Sequence, residues 1–198
     1  MAEVLDWSTL PGRLVVLSGA SGSGKSTLVR RLLGRAELRL AASVSATTRP
    51  PRVGEVDGRD YYFLSPEQFE AARGDLLESA EVHGFSYGTP AEPVRRRLAE
   101  GSCVILVIDV QGGMQVREKV PGALLVFVQV PDPGELERRL RDRGTDDEPT
   151  ILRRLANARR EQELSRSYDV HIVNDDLERC VEELAGVLAR ARCGGGEA

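Results

Sequence analysis

The sequence predicts an α/β protein: a three-layer α/β/α core on a parallel sheet, with a small mixed α/β lobe and a helical lid added to it. Three observations predict it. Leu14-Val15-Val16-Leu17-Ser18 is a short apolar, β-branched run that passes through a glycine-rich turn into Thr27–Leu33, which has helical spacing. Val104-Ile105-Leu106-Val107-Ile108 is wholly aliphatic and Ala123–Val130 is nearly as apolar, so both read as strands covered on both faces. Helical patterns separate these strands, as the crossovers of a parallel sheet require. With 198 residues, 41% of them hydrophobic, the chain can bury one good core and still carry appendages.

Taken in order, Met1–Gly12 is expected to be an entry segment with Trp7 packed on the core. The first strand and its turn lead to a helix ending near Gly34, and Leu38–Val44 is apolar enough for a second strand. From Val53 to Pro93 the signals change. Gly54 and Gly58 indicate a hairpin-like stretch, Asp60-Tyr61-Tyr62-Phe63 a strand, and Ser65-Pro66 a capped helix start with proline in its first turn. Leu76–Val82, Gly84–Thr89 and a helix from about Glu92 complete this unit. It holds Tyr61, Tyr62, Tyr87, Phe63, Phe69 and Phe85, enough for a small core of its own. The main sheet resumes with Cys103–Ile108, ended by Asp109, then a helix over Gly113–Lys119 and the strand Ala123–Val130. Helical patterns cover Pro133–Arg141 and Thr150–Arg166 on either side of the polar break Arg143–Pro149. His171–Asn174 is a last strand, Leu177–Arg192 a closing helix and Gly194–Ala198 a frayed tail. The division is a core of 1–42, 97–133 and 167–198, a lobe of 43–96 and a lid of 134–166. No internal repeat is present.

Gly19-Ala20-Ser21-Gly22-Ser23-Gly24-Lys25-Ser26 spells G-x-x-x-x-G-K-[ST] in the strand–loop–helix context that a phosphate loop needs. Glycines let successive backbone N–H groups point at phosphate oxygens, and the start of the helix adds positive partial charge. Lys25 is placed to reach the β- and γ-phosphates and Ser26 to ligate Mg²⁺. Lys25 and Lys119 are the only lysines among 27 basic residues, so a chain that otherwise uses arginine keeps lysine where the loop needs it. The loop implies a nucleoside triphosphate ligand. Other residues read blandly by themselves. Arg49 and Arg52 are two solvated arginines beside a Pro-Pro turn, Glu78 is a solvated helix-end carboxylate, and Asp109 caps the turn after its strand.

Together these segments resemble the guanylate kinase family, which converts GMP and ATP to GDP and ADP, from about Arg13 to Leu188. The resemblance rests on the phosphate loop, on Ser43–Glu55 with Gly58-Arg59-Asp60-Tyr61, on Glu78, and on Tyr87-Gly88-Thr89. Ile108–Gly112, Arg143-Gly144-Thr145 and Val173–Asp176 complete it. It implies that Gly19, Ala20, Ser21, Gly22, Ser23, Gly24, Lys25, Ser26 and Thr27 bind ATP, with Asn174 beside the adenine. Ser45, Arg49, Arg52, Tyr61 and Tyr87 are implied around the GMP phosphate. Glu78 is the implied acceptor of the guanine N1–H and N2–H₂ donors, and Thr89 the contact to O6. Asp109 is implied beside GMP and, through water, on Mg²⁺. Arg139, Arg143 and Arg154 are the implied lid arginines of the transfer, in which Lys25 and Arg49 share. Arg138, Arg141, Arg153, Arg159 and Arg160 are left facing solvent, and His83 and His171 are structural. The implied reaction is in-line transfer from ATP to GMP or dGMP with Mg²⁺, in purine nucleotide metabolism.

One departure stands out. The family usually carries a carboxylate two positions before Asp109, and here that position is Val107. Alternation puts 107 and 109 on one face, so weaker GMP binding than in relatives with the acid is expected. Two other classes of function remain. A phosphopeptide-holding module on this scaffold would have lost the phosphate loop, and a kinase for another phosphorylated acceptor would lack a reason for Glu78 and Thr89. A net charge of −4 and a pI near 5.4 argue against a general nucleic-acid binder. Cys103, Cys180 and Cys193 have no metal-ligand spacing and fit a reducing compartment, with Cys103 in the core. No apolar run is long enough to span a membrane and Met1–Pro11 lacks a signal pattern, so a soluble, cytoplasmic monomer or weak homo-oligomer is expected.

Overall fold

The glycine-rich loop of the site hangs on the carboxyl end of strand β1 (Arg13–Ser18), which a computed structural model places in the middle of a five-stranded sheet. Residues 6–82, 84–142, 144 and 147–193 are described. In chain order β1 is followed by α1 (Lys25–Leu33), β2 (Leu40–Ala42), β3 (Ala46–Thr47), β4 (Tyr62–Phe63), α2 (Pro66–Ala72), β5 (Leu76–Val82) and β6 (Phe85–Pro90). Then come α3 (Ala91–Ala99), β7 (Cys103–Val107), α4 (Val110–Lys119), β8 (Leu124–Gln129), α5 (Pro133–Asp142), α6 (Glu148–Leu164), β9 (Val170–Val173) and α7 (Leu177–Cys193).

The large sheet has the order β2-β7-β1-β8-β9 and every pairing in it is parallel. Alternation along β1 sends its side chains to two cores. Val15 and Leu17 pack with Leu28 and Leu32 of α1 and with Val181 and Leu184 of α7. Leu14 and Val16 face the other way, onto Leu98 of α3, Val110 and Val116 of α4, and Phe127. This is the three-layer arrangement that the unbroken aliphatic strands predict. Trp7 packs on the second of these cores and Cys103 is fully buried, both as expected.

The second sheet, β4-β3-β6-β5, is mixed. Its small core is Phe69, Ala46 and Leu76 with Tyr62 and Leu64. Helix α2 starts as the sequence predicts: Ser65 and Gln68 form a reciprocal capping box, with Pro66 at the first position. The stretch around Gly54 and Gly58 differs from expectation. It is no hairpin, because β4 pairs in parallel with β3. Carboxylates organise the loop instead: Asp60 accepts from the Val56 N–H at 2.8 Å, and Asp57 from the Phe63 N–H at 2.8 Å.

Two boundaries also shift. Strand β2 is shorter than Leu38–Val44 because Ala36–Leu38 forms a 3₁₀ turn. Helix α4 begins at Val110, one turn before the expected Gly113, because Asp109 caps it by accepting from the Gly112 N–H at 2.7 Å. Paired glycines hid that turn, since glycine lowers helix propensity. Close packing explains them: a Cβ on Gly113 would lie 1.9 Å from the Tyr168 hydroxyl, and one on Gly112 2.7 Å from Glu78 Oε2.

Candidate active site

Backbone geometry builds the phosphate loop at the end of β1. Gly24 caps α1 with φ of 97°, a left-handed conformation that favours glycine. A Cβ there would also stand 2.2 Å from the Asn174 amide nitrogen. Asn174 itself is buried, and its Nδ2 donates to the Ser23 carbonyl at 2.7 Å. Its side chain is therefore engaged in shaping the loop, a role the sequence did not reveal. Lys25 Nζ lies within the loop, donating to the carbonyls of Gly19 and, at 3.0 Å, Ala20.

The two helices after β8 lean on the same loop. Leu136 and Leu140 of α5 bury against Ala20, with Leu155 and Ala158 of α6 packed alongside. From α6, Arg154 Nη1 donates to Ser21 Oγ at 3.1 Å. From α5, Arg139 donates to Glu135 at 2.6 Å and to the Asn174 carbonyl at 3.0 Å. The periphery fits the bland expectation, with Arg138 on Glu135 and Arg141 between Glu137 and Glu148. Arg143, and His83 of the lobe, lie outside the described residues.

Across the cleft, Arg49 is held as a fork. Its Nη2 reaches both Glu55 oxygens, at 2.9 and 3.0 Å, and Nη1 donates to the Pro50 carbonyl at 2.7 Å. The guanidinium lies 5.4 Å from the Tyr61 ring centre, and the Tyr61 and Tyr87 rings meet edge-on at 6.1 Å. Glu55 also accepts from the Arg52 N–H at 2.7 Å, which ties the two arginines to one carboxylate. Arg49 and the Arg52 backbone hold the Glu55 carboxyl below its usual range. The sequence contained Glu55 in its motif without assigning it that clamp.

Glu78 overturns its bland reading. It is a strand residue of β5, only 3% exposed, directly opposite Thr89 on β6, whose Oγ1 donates to Glu78 Oε1 at 2.6 Å. Burial pushes its pKa up to about 7, against the Thr89 hydrogen bond, and the Asp109 charge adds to the rise. One cleft of about 310 Å³ is lined by Gly19, Lys25, Ser45, Tyr61, Glu78, Tyr87 and Asp109, while Arg49, Arg52 and Thr89 lie outside that lining. Val107 lines the cleft too, in register with Leu17 of β1. Glu161 of α6 joins this lining, and the sequence analysis missed it because it sits in a run of charged residues that reads as solvent-facing.

One cavity therefore brings the glycine-rich loop and its lysine together with two tyrosines and a buried carboxylate, and the Arg49 guanidinium stands against the Tyr61 ring. The loop can bind phosphate and the carboxylate a hydrogen-bond donor. Comparisons with known proteins place the whole chain. The guanylate kinase family model matches residues 11–191. A guanylate kinase of Thermosynechococcus vestitus is 53% identical over 171 residues, 85% of this chain and 89% of that protein. One of Rubrobacter xylanophilus is 50% identical over 186 residues, 93% of this chain and 97% of that protein. The crystal structure of guanylate kinase from Anaplasma phagocytophilum superposes with a TM-score of 0.74 at 32% identity, covering 94% of this chain and 88% of that one. The chain belongs to the guanylate kinase family.

Proposed function

We propose that the cleft transfers the γ-phosphoryl group of ATP to GMP, and to dGMP, in line, giving ADP and GDP or dGDP. The observation that carries this reading is the buried Glu78, hydrogen-bonded by Thr89, in the lining of the cavity that Gly19 and Lys25 also line. A carboxylate accepts both guanine donors, whereas adenine would face it with a lone pair at N1, so the pair favours guanine. Arg49, Arg52, Ser45, Tyr61 and Tyr87 would then bind the acceptor phosphate. Lys25 and the loop N–H groups of Gly19 through Thr27 would bind the donor phosphates. Arg139, Arg143 and Arg154 would neutralise charge on the migrating group as the lid residues 134–166 close and exclude water. No general base is required, because the attacking group is already an anion. Asn174, whose amide braces the loop at Ser23, would stand beside the adenine.

The donor set fits Mg²⁺. Ser26 presents an exposed hydroxyl, Asp109 a carboxylate with one oxygen used in its helix cap, and both are hard oxygen ligands. No group of three or more histidine, cysteine, aspartate or glutamate side chains able to hold a metal occurs among the described residues. Mg²⁺ held by Ser26 and Asp109 would take its remaining ligands from nucleotide phosphates and water. Bound there, it would neutralise phosphate charge. No helix among the described residues is long and apolar enough to cross a membrane. We place the protein in the cytoplasm as a monomer or weak homo-oligomer whose partners are these small molecules, with no nucleic acid and no membrane.

The test is a coupled assay of ADP production from ATP and Mg²⁺ with GMP, dGMP, AMP, CMP and UMP. Turnover confined to GMP and dGMP is expected. Turnover with none of the five, in a chain that still binds ATP, would sink the reading.

A further inference from the structure

Helix α6 brings Glu161 to the cleft, two turns after Arg154, which lies on the same helix face and donates to Ser21. The phosphoryl-transfer scheme uses the arginine and has no use for the glutamate. Yet Glu161 Oε2 is buried and has no hydrogen-bond partner among the described residues. It lines the same cavity as Lys25, Glu78, Tyr61 and Asp109. Burial and the nearby Asp109 charge raise its pKa, and the Lys25 ammonium opposes them. A carboxylate oxygen in such a place is stable when a ligand brings it a donor.

We propose that Glu161 is a specificity-determining residue that accepts a hydrogen bond from a ribose hydroxyl of the acceptor nucleotide. The proposal rests on GMP spanning the cleft, guanine on Glu78 and phosphate on Arg49. The donors of the substrates then leave one match. The guanine N1–H and N2–H₂ are directed at Glu78, and phosphates carry only acceptors. At Lys25, ATP presents phosphate oxygens alone. The sugar hydroxyls are the remaining donors of GMP, and Glu161 lines the cavity that Glu78 also lines.

The test compares kcat/KM for GMP, 2′-deoxyGMP and 3′-deoxyGMP in the wild-type chain, in Glu161→Ala and in Glu161→Gln. Removing one of the two hydroxyls is expected to lower wild-type kcat/KM by about tenfold. Glu161→Ala should lower the GMP value by a similar factor and shrink the deoxy penalty below about twofold, as groups that contact each other do. Glu161→Gln, which keeps a carbonyl acceptor, should retain part of the preference, and it carries the comparison if the alanine variant fails to fold. The proposal is overturned by a wild-type chain indifferent to both hydroxyls, or by a deoxy penalty undiminished in the variants. An equal loss for all three nucleotides with a raised ATP KM overturns it as well, and would assign Glu161 to orienting Lys25. Failure of GMP itself as an acceptor for wild type, with ATP still bound, would instead defeat the underlying reading of the site.

Discussion

At the scale of single residues, Glu78 joins recognition to stability through one buried carboxylate. Unfolded, it ionises near 4.5; folded, burial moves it to about 7, so between those values the folded chain holds the extra proton. Its contribution to stability is complete below the unfolded value and is lost as the pH rises through 7. Glu78→Gln removes that loss. Above about pH 8 the variant is expected to exceed wild type by roughly 2–3 kcal/mol, converging with it toward the unfolded value, as urea unfolding across a pH series will measure. On the proposed function the same ionisation would govern binding, because the anion would accept both guanine donors. Wild-type kcat/KM for GMP should climb through pH 7, and Glu78→Gln should lose both that climb and the preference for GMP over AMP. The residue type and position were legible in the sequence by resemblance. Its burial was not, because a lone glutamate is usually solvated, and only its pairing with Thr89 across β5 and β6 encloses it.

At the scale of elements, α5 and α6 connect the loop to solvent. They share a small apolar cluster with Ala20, while their arginines reach Ser21 and the Asn174 carbonyl. A helix pair seated on so few apolar contacts can move as a unit while the main cores stay intact. Arg154→Ala is therefore expected to lower kcat by about a hundredfold with little change in the GMP KM, since its charge matters most as the phosphoryl group moves. Steady-state kinetics checks this: an unchanged kcat with a raised ATP KM would reduce Arg154 to ground-state binding. Helix existence here was plain from sequence periodicity. The start of α4 was not, because Gly112 and Gly113 lower local propensity and are explained only by the Glu78 and Tyr168 side chains packed over them.

At the scale of the whole molecule, two sheets with separate cores flank one cleft, and ligands that bridge it should stabilise the fold by mass action. A non-hydrolysable ATP analogue at about a hundred times its Kd adds about 2.7 kcal/mol, which raises Tm by about 5–10 °C for a chain of this size. Lys25→Met is expected to keep the unliganded Tm and the GMP increment while losing most of the ATP increment, in a thermal-shift titration of each nucleotide. By itself the sequence determined the parallel core and the phosphate loop. Unbroken aliphatic strands and a strand–glycine–helix motif are local signals, complete within a few residues. It also specified the capping box of α2, for the same reason. Tertiary structure alone decided that β4 runs parallel to β3, that Glu55 clamps both arginines, that Asn174 braces Ser23, and that Glu161 enters the cleft from a charged helix. The Glu55 clamp depends on how one loop folds back on itself, and the others on residues far apart in the chain or on which helix face turns inward. Neither composition nor periodicity records such a choice, because it is made by packing.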